Sequence, residues 1–321
     1  MSNAMQAATE DSPITVRRLG RYFVAEVTDI DLSHPLDAVA VDAIADALAT
    51  HEVLVFPDQK LSSEDLMRLG SYFGELTVHP FAENAEKNPE LIVFDYKEGN
   101  PPVVTDRWHS DETYRACPPL GTMLYSKIVP EVGGDTCFAS MTTAYDSLSE
   151  RMQQFISGME AVHDFTSFKF LFPDSEEGRR QLRRSEEEYP PVTHPVVRVH
   201  PVTGRKTLFV NPHYTRFIKG LDDRESWQLL DTLFRSTSVL EHQYRHRWVP
   251  NTLVFWDNRS VQHAAVHDYY PQRRLMERVT IKGDRPFSTE EAAKVSELRK
   301  FKVAQYDHQD ARRAPRQFER A

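Results

Sequence analysis

Trp108-His109-Ser110-Asp111 is the stretch that most constrains how this chain can fold. A histidine and a carboxylate stand two positions apart, and on an extended segment such neighbours point to the same side. Imidazole with carboxylate is also a pair that a borderline divalent metal takes. Alone the pair is a weak signal, because His-x-Asp also arises as ordinary surface polarity. A second stretch lies far downstream: Trp256-Asp257-Asn258-Arg259-Ser260-Val261-Gln262-His263, then Arg273-Arg274-Leu275-Met276-Glu277-Arg278. A late histidine would complete two histidines and one carboxylate on one face of an octahedral ion. That set leaves three positions open and is typical of non-haem Fe(II) oxygenases. By residue type, His263 and His267 both qualify as the distal ligand.

Composition narrows the classes. Met1-Ser2-Asn3-Ala4 precede a second methionine and read as an expression-vector scar, so residues 1–13 are set aside as scar and flexible N-terminus. An apolar content of 40% with 11% aromatics suffices for a sizeable core. No run approaches the ~18 apolar residues of a membrane span, and no signal peptide is visible. Cys117 and Cys137 make no disulfide framework. A cytoplasmic enzyme without a membrane partner is the expectation. The net charge of -9 argues against nucleic acid, while leaving room for a locally positive pocket that takes a small anion.

Along the chain, Ile14 to Leu32 reads as short strands about a turn at Gly20. Val41, Ile44, Ala45 and Leu48 recur at helical spacing. Val53-Leu54-Val55-Phe56 is an apolar strand, and Ser62 with Asp65 opens a second helix in capping-box fashion. Strands are expected at 91–96, 121–128 and 135–139, a helix over 144–159, and an exposed insertion at 173–191. A hairpin follows around Pro201-Val202-Thr203-Gly204, then a helix over 222–236 and late strands at 252–256 and 275–282. Many short, turn-punctuated strands with a few helices outside them give a mainly β, α+β fold.

The motifs WHSD, GGDT at 133–136, HPVVRVHPVTGRKTLFVN at 194–211 and WDNR with His263 resemble one family. It is the taurine dioxygenase branch of the Fe(II)/2-oxoglutarate-dependent dioxygenases, and the likeness runs from about Ile14 to Phe287. The resemblance implies a double-stranded β-helix core (jelly roll, cupin-like) with flanking helices, as a single domain over 14–287. Residues 288–321 are then a C-terminal helical extension and basic tail. It implies His109, Asp111 and His263 as ligands of Fe(II), with His263 preferred over His267. Arg274 and Thr136 match the residues that hold the far carboxylate of 2-oxoglutarate, the co-substrate alongside O2. An arginine suits that task because its fork makes two parallel hydrogen bonds and keeps its charge. Arg278 and His79 match the residues that grip the substrate's anionic head.

Recognition of the rest of the substrate departs from the taurine pattern. Thr105 stands where taurine-cleaving relatives have an asparagine near the amine. Glu112 is also unlike that pattern and is a second candidate to meet an amine. Tyr214 falls where a phenylalanine lines the pocket. The implied activity is hydroxylation of a small organic anion (sulfonate, alkyl sulfate or aryloxyalkanoate) with release of succinate and CO2. The rival within the class is a tailoring hydroxylase of an amino acid or natural-product precursor. Outside it stand a metal-dependent hydrolase, since zinc accepts the same ligands, and a jelly-roll binding protein, which leaves Arg274 and Thr136 unexplained. A homo-oligomer, dimer or tetramer, is expected.

Overall fold

The computed structural model describes residues 12–81, 87–102, 106–289 and 291. Strands β1 (Thr15–Arg18) and β2 (Ala25–Thr28) lead to helix α1 (Ala38–His51), strand β3 (Val53–Phe56) and helix α2 (Ser63–Ser71). Strands β4 (Leu91–Tyr96), β5 (Gly121–Ile128) and β6 (Thr136–Ser140) follow, then helices α3 (Met141–Asp146) and α4 (Glu150–Ile156). Next come β7 (Glu160–His163), α5 (Glu176–Glu188), β8 (Val192–Pro195), β9 (Val197–Val199), β10 (Lys206–Leu208) and β11 (Thr215–Ile218). Helix α6 (Asp223–Phe234) precedes β12 (Gln243–His246), β13 (Leu253–Asp257), β14 (Val261–Ala265), β15 (Arg274–Ile281) and β16 (Phe287–Ser288).

Seven strands form the main sheet in the order β1-β2-β3-β13-β5-β15-β4. Within it β2 and β3 run parallel and the other pairings are antiparallel. Strands β12-β6-β14 form a facing sheet. The two are glued by Val53, Val55, Leu124, Val254, Trp256 and Met276 on one side and Phe138 and Val261 on the other. The main sheet's outer face carries Leu54, Phe56, Tyr125, Phe255 and Val279, covered by Ile44 and Leu48 of α1 and Leu66 and Leu69 of α2. A strand buried on both faces needs a continuous apolar run, which is why Val53–Phe56 has no polar member. Strands β10-β9-β16 and β11-β7-β8 make two smaller sheets, and a second apolar cluster joins them to α3 and α6.

The expected capping box is present: Ser62 accepts from the Asp65 backbone, and Asp65 accepts from Ser62. The helix expected over 144–159 is instead two short helices. Ser149 caps α4 by accepting from Met152, which stops α3 at Ser147. The insertion at 173–191 contains α5, whose Glu/Arg-rich surface forms the Arg180–Glu176 and Arg180–Glu177 pairs. At the expected end of the domain, Phe287 pairs with Val199. The expected C-terminal helix from Glu290 onward falls, except for Glu291, outside the described residues. Among the described residues no helix is long and apolar enough to cross a membrane.

Candidate metal centre and anion pocket

His109 and His263 meet although the chain between them spans most of the fold. The His109 N–H donates to the His263 carbonyl at 3.1 Å, and the His263 N–H donates back at 2.8 Å. This bridge holds their rings 4.3 Å apart. The Nδ1–H of His109 donates to the Arg107 carbonyl at 2.7 Å, so its lone pair lies on Nε2. Asp111 accepts from the Thr122 hydroxyl on Oδ2 at 2.7 Å. Its Oδ1 lies 3.7 Å from His109 Nε2 and 3.8 Å from His263 Nε2. His109, Asp111 and His263 thus gather one ligand atom each, all within 4.8 Å of one another. His267, the competing histidine, is not in this group.

The protonation states suit a metal. Burial lowers both histidines, His263 to about 3, so both imidazoles are neutral. Burial alone would raise the Asp111 carboxyl, but the Arg278 guanidinium, with the Thr122 hydrogen bond, outweighs it and holds it well below the usual range. Two neutral imidazoles and an ionised carboxylate are what a divalent ion requires of its ligands. The Nδ1 of His263 is buried without a hydrogen-bond partner among the described residues.

The two arginines of β15 sit as alternation requires, on one face with Met276 and Thr280. Arg278 Nη2 lies 3.0 Å from Asp111 Oδ1 but is misaligned for a hydrogen bond, while Nε donates to Thr280 at 3.1 Å. Arg274 is buried, and burial lowers its pKa. Its Nε donates to the Gly134 carbonyl at 3.2 Å, and its guanidinium carbon lies 5.8 Å from the ring centres of both Trp248 and Tyr269. Gly134 has φ +74°, and a Cβ there would come within 3.2 Å of Arg274 Cδ. That close approach accounts for the glycine in GGDT. Thr136 accepts from Trp248 Nε1 at 2.9 Å, so its own hydroxyl hydrogen is available to a carboxylate.

His79 is buried, and its Nδ1 accepts the Phe81 N–H at 3.1 Å, which puts the ring proton on Nε2. Burial lowers it to about 4, with Glu112 opposing and Arg278 reinforcing. It is therefore a neutral donor. Glu112, expected as a candidate amine acceptor, is fully buried, with Oε2 held by Arg115 at 2.5 Å and Oε1 without a hydrogen-bond partner among the described residues. Tyr214 is buried edge-on to His109 at 6.1 Å. Phe168 lies against His79, Phe81, Tyr114 and Tyr214 and gives the pocket an aromatic wall. Thr105 lies outside the described residues.

Residues missed in the sequence complete the frame. Asn258 accepts from Asp111 N–H at 3.1 Å and Trp256 Nε1 at 3.0 Å, and donates to Thr122 at 2.9 Å. In WDNR the carboxylate is structural: Asp257 takes both prongs of Arg259, at 2.8 and 2.6 Å, and His200 at 3.0 Å. The motif itself was the signal for these residues. His213, beside His109, carries no such signal.

The family model described as "Taurine catabolism dioxygenase TauD, TfdA family" matches residues 15–280. An alkylsulfatase of Acinetobacter baylyi is 32% identical over 289 residues, covering 88% of this chain and 89% of its own. An alpha-ketoglutarate-dependent sulfate ester dioxygenase of Pseudomonas putida is 32% identical, covering 89% and 95%. The crystal structure of a taurine dioxygenase from Burkholderia xenovorans superposes with a TM-score of 0.74 at 31% identity, covering 87% and 92%. With a match over nearly its whole described length, the chain belongs to the taurine catabolism dioxygenase (TauD, TfdA) family and is an Fe(II)/2-oxoglutarate-dependent oxidoreductase.

Proposed function

We propose that this enzyme hydroxylates a small organic anion at a carbon beside the heteroatom, with a sulfate ester, sulfonate or aryloxyalkanoate as substrate. His109 Nε2, Asp111 Oδ1 and His263 Nε2 hold the metal, and Arg274 with Thr136 binds the far carboxylate of 2-oxoglutarate. Bound Fe(II) supplies oxygen activation, coupled to conversion of 2-oxoglutarate into succinate and CO2. The protein's residues bind and orient the two anions.

One observation carries the substrate class. Arg278, nearly buried, has its guanidinium beside the Asp111 oxygen that faces the metal site. A divalent ion on that oxygen takes over its negative charge. Arg278 is then a poorly solvated cation in need of an anion, and a substrate head group supplies one next to the metal. The His79 Nε2–H adds a neutral hydrogen bond, favourable to sulfate, sulfonate or carboxylate.

Taurine is expected to rank below amine-free anions. Its ammonium loses water on entry, and the Glu112 carboxylate is already paired with Arg115 through Oε2, which leaves Oε1 alone as an acceptor for it. An unmatched polar group costs about 1–3 kcal/mol. The test is succinate release with Fe(II), 2-oxoglutarate and O2 across alkyl sulfates, sulfonates including taurine, and aryloxyacetates. Substrate-dependent succinate with sulfate, sulfite or phenol appearing in step supports the reading. Turnover that needs neither O2 nor 2-oxoglutarate would replace it with a hydrolase.

A further inference from the structure

The stretch 194–211 begins with His194 and ends with Asn211, and between them β9 and β10 form a hairpin. Val197 stands opposite Leu208, and the Phe209 N–H donates to the Val196 carbonyl at 2.8 Å. Continued outward, that register sets the two ends of the stretch side by side. Both ends are buried, and both reach the same residue, Thr113, two places beyond Asp111.

His194 Nε2 lies 2.9 Å from the Thr113 carbonyl and 3.0 Å from the Arg115 carbonyl. Carbonyls only accept, so Nε2 carries the proton and shares it between them. Asn211 Oδ1 accepts the backbone N–H groups of His213 at 3.1 Å and Tyr214 at 2.9 Å, which leaves Nδ2 to donate to the Thr113 hydroxyl at 3.1 Å. His163, on β7, meets the same hydroxyl with Nδ1 at 3.0 Å. Between Asp111 and Thr113, Glu112 has φ +47°. A residue with a Cβ is uncommon in this left-handed region and stays there only where its surroundings hold it. The Arg115 N–H closes the turn on the Glu112 carbonyl at 2.9 Å. Asp111 is thus held at its own N–H by Asn258, at Oδ2 by Thr122, and from behind by a bent peptide gripped by three buried side chains.

We propose that His194 is a positioning residue for the metal centre: with Asn211 and His163 it locks the left-handed turn after Asp111 and so aims that carboxylate at the site shared by His109 and His263. The inference rests on the reading of those three residues as the metal ligands. Without the clamp, Glu112 relaxes to a right-handed or extended backbone, and the peptide that follows Asp111 rotates with it. The carboxylate then samples orientations away from the two imidazoles, and metal affinity falls before any chemistry begins.

The test is calorimetric titration of the metal-free protein with Co(II), well below the melting temperature. His194→Phe keeps a ring of similar size and loses the donor, and its Co(II) Kd should rise about tenfold to a hundredfold, as for other groups that orient metal ligands. His194→Gln, whose amide places an N–H near the lost one, should recover most of that affinity. Ile44 is buried in α1 on the outer face of the main sheet, so Ile44→Ala should lower stability and leave the Kd unchanged. With Glu112→Gly in the background, the left-handed conformation carries no Cβ penalty, and the effect of His194→Phe should shrink. An unchanged Kd in His194→Phe, a rise that Ile44→Ala matches, or a rise that neither His194→Gln nor Glu112→Gly reduces overturns the inference while the metal centre stands. If wild type binds no Co(II), or Asp111→Ala binds it as wild type does, the ligand reading falls and takes this inference with it. Should His194→Phe fail to fold, Thr113→Val, which replaces the clamped hydroxyl by a methyl group, carries the same test, with Thr113→Ser as the variant that restores affinity.

Discussion

The two carboxylate oxygens of Asp111 meet different demands. Oδ2 is tied to Thr122, which fixes the rotamer, and Oδ1 faces two imidazoles and the Arg278 guanidinium. Asp111→Ala is expected to abolish turnover and iron retention while the fold survives. It also strips Arg278 of its counter-charge, so urea titration should show a loss of about 1–3 kcal/mol. Wild-type iron content in the variant would contradict the assignment. Arg274→Ala should raise the 2-oxoglutarate requirement far more than the substrate requirement, because removing one partner of a charged pair in a closed site costs about 2–5 kcal/mol. An unchanged 2-oxoglutarate KM would remove Arg274 from its role. These residues were legible in the sequence because metal and carboxylate chemistry admit few residue types. Thr122, Asn258 and Trp248 were not. Each owes its role to partners remote in sequence, and a threonine or tryptophan within an apolar strand pattern reads equally well as core.

At the scale of elements, β15 shows the limit of pattern reading. Alternation separates Arg274, Met276, Arg278 and Thr280 from Leu275, Glu277, Val279 and Ile281, but does not say which set faces inward. Both do: Val279 and Ile281 pack under α1 and α2, while Met276 sits between the two facing sheets. Even Glu277 is tied down, by Lys127 and Ser63. Met276 is fully buried, so Met276→Ala should destabilise the protein by about 2–4 kcal/mol through the cavity it leaves. The 2-oxoglutarate affinity, measured well below the melting temperature, should be nearly unchanged. A large fall in that affinity with little change in stability would mean that β15 positions its arginines through Met276. The strands and capped helices were readable from local pattern. The break between α3 and α4 was not, because Ser147 to Ser149 is compatible with either a helix interior or a cap until the packing chooses.

For the molecule as a whole, burial of neutral histidines sets the acid response. His79, His194 and His246 are each lowered to about 4, chiefly by desolvation. Their folded pKa lies below the unfolded value of about 6.5, so the unfolded chain binds more protons between those limits. Their stabilisation is full above about 6.5 and is lost as pH falls toward 4. Glu52 has the opposite sign. Burial raises it to about 7 against Ser140 and Arg205, so its contribution is present at low pH and lost as pH rises through 7. Three groups outweigh one, and each proton is worth about 1.4 kcal/mol per pH unit. Stability to urea should therefore climb from pH 4 to 6.5, and Glu52→Gln should steepen that climb, because it removes the opposing slope between 4.5 and about 7. A flat profile would show that these groups are hydrated in solution. Activity of the whole molecule rests on His109, Asp111 and His263 binding Fe(II) on one face, within reach of a 2-oxo acid anchored by Arg274, as proposed above. The most direct measurement is anaerobic titration of the Fe(II)-loaded protein with 2-oxoglutarate, followed by the visible charge-transfer absorption of an iron-chelated 2-oxo acid. Saturable absorption is expected in wild type, none in Asp111→Ala, and the same band only at much higher 2-oxoglutarate in Arg274→Ala. The same saturation in all three proteins would contradict it.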